Sequence, residues 1–180
     1  MPTGALDAIG LQTRGVYGRF NKSELWHDFF IGVAGAAAAL TGLLFVSLSI
    51  NLQQILQQGW LPRRAGLTVV LLFEALVIAV LGLVPGQSSV ALGVELLMLG
   101  LGAWLFATGV YTVRRPAVSY QAPIVVGVVT SQLATLPVVV AGASLVAQGG
   151  GGLYWLVPGI VLLLGVGVIN AWVLLVEIMR

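Results

Sequence analysis

Residues 29 to 62 contain no charged side chain, and neither do residues 116 to 176. A helix needs roughly 20 apolar residues to cross the hydrocarbon core of a bilayer, and both stretches exceed that. Composition points the same way: of 180 residues, 59% are hydrophobic and only 8% charged, which excludes an ordinary soluble domain. The expected fold is therefore all-α, a transmembrane helical bundle with about five spanning helices, near residues 28–50, 65–85, 88–113, 122–148 and 153–178. Residues 1–22 are read as an N-terminal tail and residues 23–180 as the five-helix domain.

The breaks between these runs carry turn chemistry. The first, NLQQILQQGWLPRR, alternates Leu52, Ile55, Leu56 and Trp60 with glutamine pairs at helical spacing, so the first helix is expected to continue along the interface as an amphipathic piece. Pro85 to Ser89, RRPAVSYQAP and Gly149 to Gly152 form the other three breaks. Asn21 with Glu24 resembles a capping box, which starts the first helix near Ser23 and puts Trp26 in the interfacial aromatic belt. The tail lacks the basic start, short apolar core and cleavage site of a signal peptide, so it reads as retained. Its Leu6, Ile9, Leu11, Val16 and Tyr17 leave open a weak interfacial helix or a loose tail.

Basic residues set the orientation. Arg63, Arg64, Arg114, Arg115 and Arg180 fall on one face of a five-span protein, and the two intervening loops carry no Lys or Arg. By the positive-inside rule that face is cytoplasmic, giving a multi-pass cell-membrane protein with its N-terminus outside and its C-terminus inside. Arg14, Arg19 and Lys22 in the tail pull against this assignment.

Two acidic residues sit inside the apolar runs, Glu74 in AGLTVVLLFEALVIAVLGLVP and Glu95 in SSVALGVELLMLGLGAWLFATGVYTV. An ionised carboxylate at the centre of a helix in a bilayer costs roughly 3 kcal/mol on insertion scales, so such a residue marks a function by default. Gln132 and Thr135 in the fourth helix and Asn170 in the fifth are candidate partners in an ion or proton site. At about 1.5 Å per residue, Glu95 lies roughly 9 Å deep, Glu74 roughly 15 Å, and Gln132 and Asn170 a little over 20 Å, so a polar ladder across the membrane is geometrically possible. Neither glutamate lies on a continuous polar stripe, however. That disfavours a wide aqueous pore and favours isolated carboxyl sites, each protonated or bonded to one partner. The polar turn Thr130, Ser131, Gln132 and Thr135 precedes Pro137, where a kink is expected; its hydroxyls either repair their own helix or line a path for an ion or water.

A face of the first helix carries Gly35, Ala39, Gly42, Val46 and Ser49. Small residues in that register let another backbone approach closely, so this is read as a helix-packing face, against a helix of the same chain or a second copy. Gly159, Gly167 and Asn170 share a face of the fifth helix.

Enzyme chemistry finds little support. His27 is the single histidine, cysteine is absent, and no G-x-S-x-G, P-loop or dinucleotide fingerprint occurs. No catalytic residue, metal or cofactor is expected. A net charge of +2, scattered along the chain, does not build a nucleic-acid surface.

The stretch WHDFFIGVAGAAAALTGLLFVSLSINLQQIL and the close of the second helix in GLVPGQ resemble a group of small bacterial multi-pass membrane proteins sometimes labelled modulators of the FtsH protease. The likeness is concentrated in residues 26–56 and 81–87. It implies a helical membrane protein and carries over no functional residue. Two functions are then weighed. One is a homo-oligomeric channel or ion-translocating protein using the intramembrane carboxyls. The other is a non-catalytic accessory or scaffold that binds another membrane protein.

Overall fold

The computed structural model describes the backbone of residues 4–57, 61–112 and 121–178, and side chains at 26–57, 61–109 and 126–176. Among the described residues there is no strand. The chain forms α1 (Gly4–Ile50), α2 (Leu52–Gln57), α3 (Leu61–Gly82), α4 (Ser89–Thr112), α5 (Gln121–Val146) and α6 (Leu156–Ile178), with a 3-10 turn at Gly152–Trp155. Five segments are long and apolar enough to cross a membrane: Trp26–Ile50, Leu61–Gly82, Ser89–Gly109, Val126–Val146 and Gly152–Val176. This is an all-α, multi-pass membrane bundle.

α1 departs from expectation at its start. Its 47 residues form one unbroken helix from Gly4, where the capping pattern at Asn21 and Glu24 predicts a start near Ser23. At 1.5 Å per residue it is about 70 Å long, over twice the thickness of the hydrocarbon core. A cap stabilises a helix end by only about 1 kcal/mol, which does not stop a helix where no proline intervenes. The side chains of that capping pair and of the tail lie outside the described residues, as does Trp60. α2 matches the amphipathic continuation in part. Ile55 is buried in a small cluster with Leu61, Ala65 and Leu174, while Leu52 and Leu56 face outward.

Four helices close a ring, α3 to α6 to α5 to α4, each neighbour antiparallel, and α1 packs outside it against α3. Phe30, Val33, Ala37 and Leu44 form the inner face of α1. Gly82 makes room at the end of α3 for the Phe30 ring, which would lie 2.7 Å from any added Cβ. Trp26 stacks edge-on to Tyr154 at 5.3 Å, closing that end of the molecule with aromatics.

Among the described residues, nothing packs closely on the small-residue face of α1. Gly35, Ala39, Gly42, Val46 and Ser49 are all exposed, and a Cβ at Gly35 or Gly42 meets no atom within 4 Å.

Close helix packing occurs instead between α4 and α5. A Cβ at Gly142 would sit 2.9 Å from the Gly93 carbonyl oxygen and 2.9 Å from the Leu97 backbone nitrogen; one at Gly93 would lie 2.9 Å from the Gly142 oxygen. Two turns beyond Gly93, a Cβ at Gly100 would sit 2.9 Å from the Val139 side chain and 3.5 Å from its backbone nitrogen. The backbones themselves are in contact, as small residues permit where lipid removes the hydrophobic advantage. Gly142→Ala is therefore expected to destabilise the protein by about 1–3 kcal/mol, the cost of overpacking. Gly35→Ala should stay within about 0.5 kcal/mol. Unfolding in mild detergent measures both, and equal shifts for the two variants would refute the assignment of the tight interface.

Candidate functional site

Glu74 lies in the middle third of α3 on the face turned toward α5 and is 1% exposed. Its apolar neighbours Leu71, Ala75 and Ile78 bury that face by the ordinary helical period, so the carboxyl is carried inward with them. Thr135 of α5 is equally buried and meets it: its hydroxyl oxygen lies 3.3 Å from Glu74 Oε2 and 3.1 Å from the Ser131 carbonyl oxygen. A hydroxyl has one proton to donate. Either Thr135 shares that proton between the two acceptors, or it donates to Ser131 while a protonated Glu74 donates to it. The second carboxyl oxygen, Oε1, is buried with no hydrogen-bond partner.

The other predicted residues are distributed elsewhere. Glu95 is half-buried near the start of α4 and accepts a 2.6 Å hydrogen bond from Gln87 Nε2, a local link from the α3–α4 turn. Gln132 turns away from Glu74 toward α4, donating to Thr108 Oγ1 at 3.0 Å and to the Trp104 carbonyl at 3.4 Å. Asn170 of α6, 6% exposed, accepts from Arg64 Nη2 at 3.3 Å. Of the five candidates for an ion or proton site, the structure joins Glu74 and Thr135 and places the other three in separate pairs.

Around Pro137 the hydroxyls bond back onto their own helix. Thr130 donates to the Val126 carbonyl at 2.8 Å and Ser131 to Gly127 at 2.8 Å. These carbonyls lie before that of Leu133, the one a proline at position 137 leaves without its usual N–H. α5 nonetheless remains one helix through Pro137.

Arg64 is the polar residue that sequence reasoning missed. Read as a loop charge, it instead lies three residues inside α3, with its Nε buried and unpaired and its guanidinium beside Asn170 of α6. The available signal was the i, i+4 pair Arg64 and Thr68, which places both on one helical face; the Thr68 hydroxyl donates to the Arg64 carbonyl at 2.8 Å. The face Gly159, Gly167 and Asn170 is buried as a unit, Gly167 against Leu72 of α3 and Gly159 against Val138 of α5.

Comparison with known protein families, with curated proteins and with solved structures finds no match for this chain.

Removing Asn170 leaves the Arg64 guanidinium short of its acceptor. Asn170→Leu should cost about 1–3 kcal/mol, the penalty for an unsatisfied buried polar group. The double variant Arg64→Met with Asn170→Leu should lose less than the sum of the two single changes. Strict additivity in a double-mutant cycle would count against the pair.

Proposed function

We propose that this chain is a small ion-translocating membrane protein in which Glu74 is the proton or cation site, working as a homo-oligomer. The observation that supports this most is the Glu74 carboxyl itself: deep in a spanning helix, 1% exposed, held by one hydroxyl, with Oε1 unpartnered. Such a group is expensive and is favoured where a site must take up and release charge. The remaining polar groups stand in separate pairs divided by apolar layers, so passage by stepwise exchange at one carboxyl fits better than a continuous water-filled pore through one chain. Glu95, bonded to a turn glutamine, supports an anchoring role more than a transport one.

One observation favours a second reading. The exposed stripe Gly35, Ala39, Gly42 and Ser49 offers a spanning helix a close-packing surface. In the homo-oligomer it receives a second copy. In an accessory protein, the role consistent with the resemblance to FtsH-protease modulators, it receives another membrane protein, and Glu74 acts as polar glue worth about 1 kcal/mol.

Proton flux into liposomes separates them. Glu74→Gln should reduce flux roughly tenfold or more, whereas Glu95→Gln should leave most of it. Equal leak from wild type and Glu74→Gln would remove the translocation reading. Orientation is testable because the chain has no cysteine of its own. A cysteine at Ser88 should react with an impermeant maleimide on intact cells, and one at Gln57 only after permeabilisation; the reverse pattern would invert the topology.

A further inference from the structure

Between α3 and α4 lies a cleft of about 250 Å³, open on one side and lined by Phe73 and Glu74 of α3 and by Met98, Gly102 and Phe106 of α4, among others. Its mouth residues are well exposed, Met98 at 71% and Phe73 at 54%, and they belong to spanning segments, so the opening faces acyl chains. Gly102 keeps it open, since a Cβ there meets no atom within 4 Å. We propose that this cleft binds a hydrophobic ammonium cation, with its charge on the Glu74 carboxylate and its carbon substituents among Phe73, Phe106 and Met98.

Four observations identify the occupant. The buried Oε1 of Glu74 has no protein partner and needs a positive charge or a donor. Among the described residues, no Lys, Arg or His lines the cleft to supply that charge. Aromatic rings attract a cation through their electron-rich faces and suit quaternary ammonium groups. A single carboxyl in apolar walls cannot replace the six or more oxygen ligands of a hard divalent ion, and among the described residues no group of three acidic, His or Cys side chains is placed to hold a metal. A neutral acyl chain would fill the space but leave Oε1 bare. At 250 Å³ the cleft is smaller than the usual range of roughly 300–1,000 Å³ for ligand pockets, so it takes a compact head group whose tail remains in the lipid. On binding, Glu74 gives up its proton to water, and the Thr135 hydroxyl turns to donate to the carboxylate.

This site rests on the reading of Glu74 as an exchange centre and adds a second occupant to it. Equilibrium dialysis of radiolabelled benzyltrimethylammonium against the full chain in dodecylmaltoside tests it. Wild type should bind saturably, one per chain. Glu74→Gln, nearly isosteric, should fall to the background of empty micelles, and so should Gly102→Leu, which fills the mouth while its thermal unfolding reports an intact fold. Absence of saturable binding to wild type, or equal uptake by all three proteins, would overturn the cation site. If flux depends on Glu74 but wild type does not bind the probe, the cation site fails and translocation stands. If binding depends on Glu74 and wild type carries no flux, the site stands without the transport role.

Discussion

In hydrocarbon no hydrophobic force draws two helices together, so a membrane bundle is shaped by where backbones can touch. Here that place is the crossing of α4 and α5, where Gly93 and Gly142 each leave no room for a side chain on the other. α4 is committed to α5 along much of its length, and its contact with α3 is correspondingly slight although the two are consecutive in the chain. The seam that remains is the cleft beside Glu74. Tight packing on one side of α4 and the opening on its other side are thus two results of one helix placement.

The spans were legible because length and hydropathy are local properties. Trp26–Ile50, Leu61–Gly82 and Val126–Val146 differ from the expected limits by a few residues. Those few residues matter at the start of α3, where a shift from 65 to 61 turns Arg64 from a loop charge into a half-buried partner of Asn170. Glu74 was legible by its cost alone. Its partner was not, because Thr135 lies 61 residues away and meets it only once the rotations of α3 and α5 are known. Gln132 shows the limit most plainly: three positions before Thr135, it points across a different seam to Thr108. The packing glycines were visible as letters, Gly93 and Gly100 seven apart, yet spacing of small residues marks a face without naming its neighbour. On α1 the same kind of pattern lies on the outside.

Polar groups in this bundle pair locally, each pair still leaving one buried atom, Gln87 Oε1, Gln132 Oε1 or Arg64 Nε, without a partner. Gln87 with Glu95, Gln132 with Thr108, and Arg64 with Asn170 each link neighbouring elements. Such bonds limit the penalty of burial and fix helix rotation more than they add stability, since net values in membranes are about 0.6 kcal/mol. Ser144 works similarly at the α5 end, accepting from the Gly152 amide at 2.8 Å and donating to the Gly149 carbonyl. Gly151, at φ 102°, lies where an L side chain is strained, which explains the glycine run there.

Glu74 differs from these pairs because its charge balance is left open. The nearest basic residue on its own helix, Arg64, lies ten positions away, about 15 Å along the axis. At an effective dielectric constant near 20, two unit charges at that distance interact by about 1 kcal/mol. That is well short of the several kcal/mol that desolvating a buried carboxylate costs. Thr135 offers a single hydroxyl whose proton already has an acceptor in the Ser131 carbonyl, so it cannot neutralise the group either. A proton on the carboxyl, or a cation entering from outside the chain, is what remains to complete the site. A structural role needs only the first; the cleft beside Glu74 gives the second a way in.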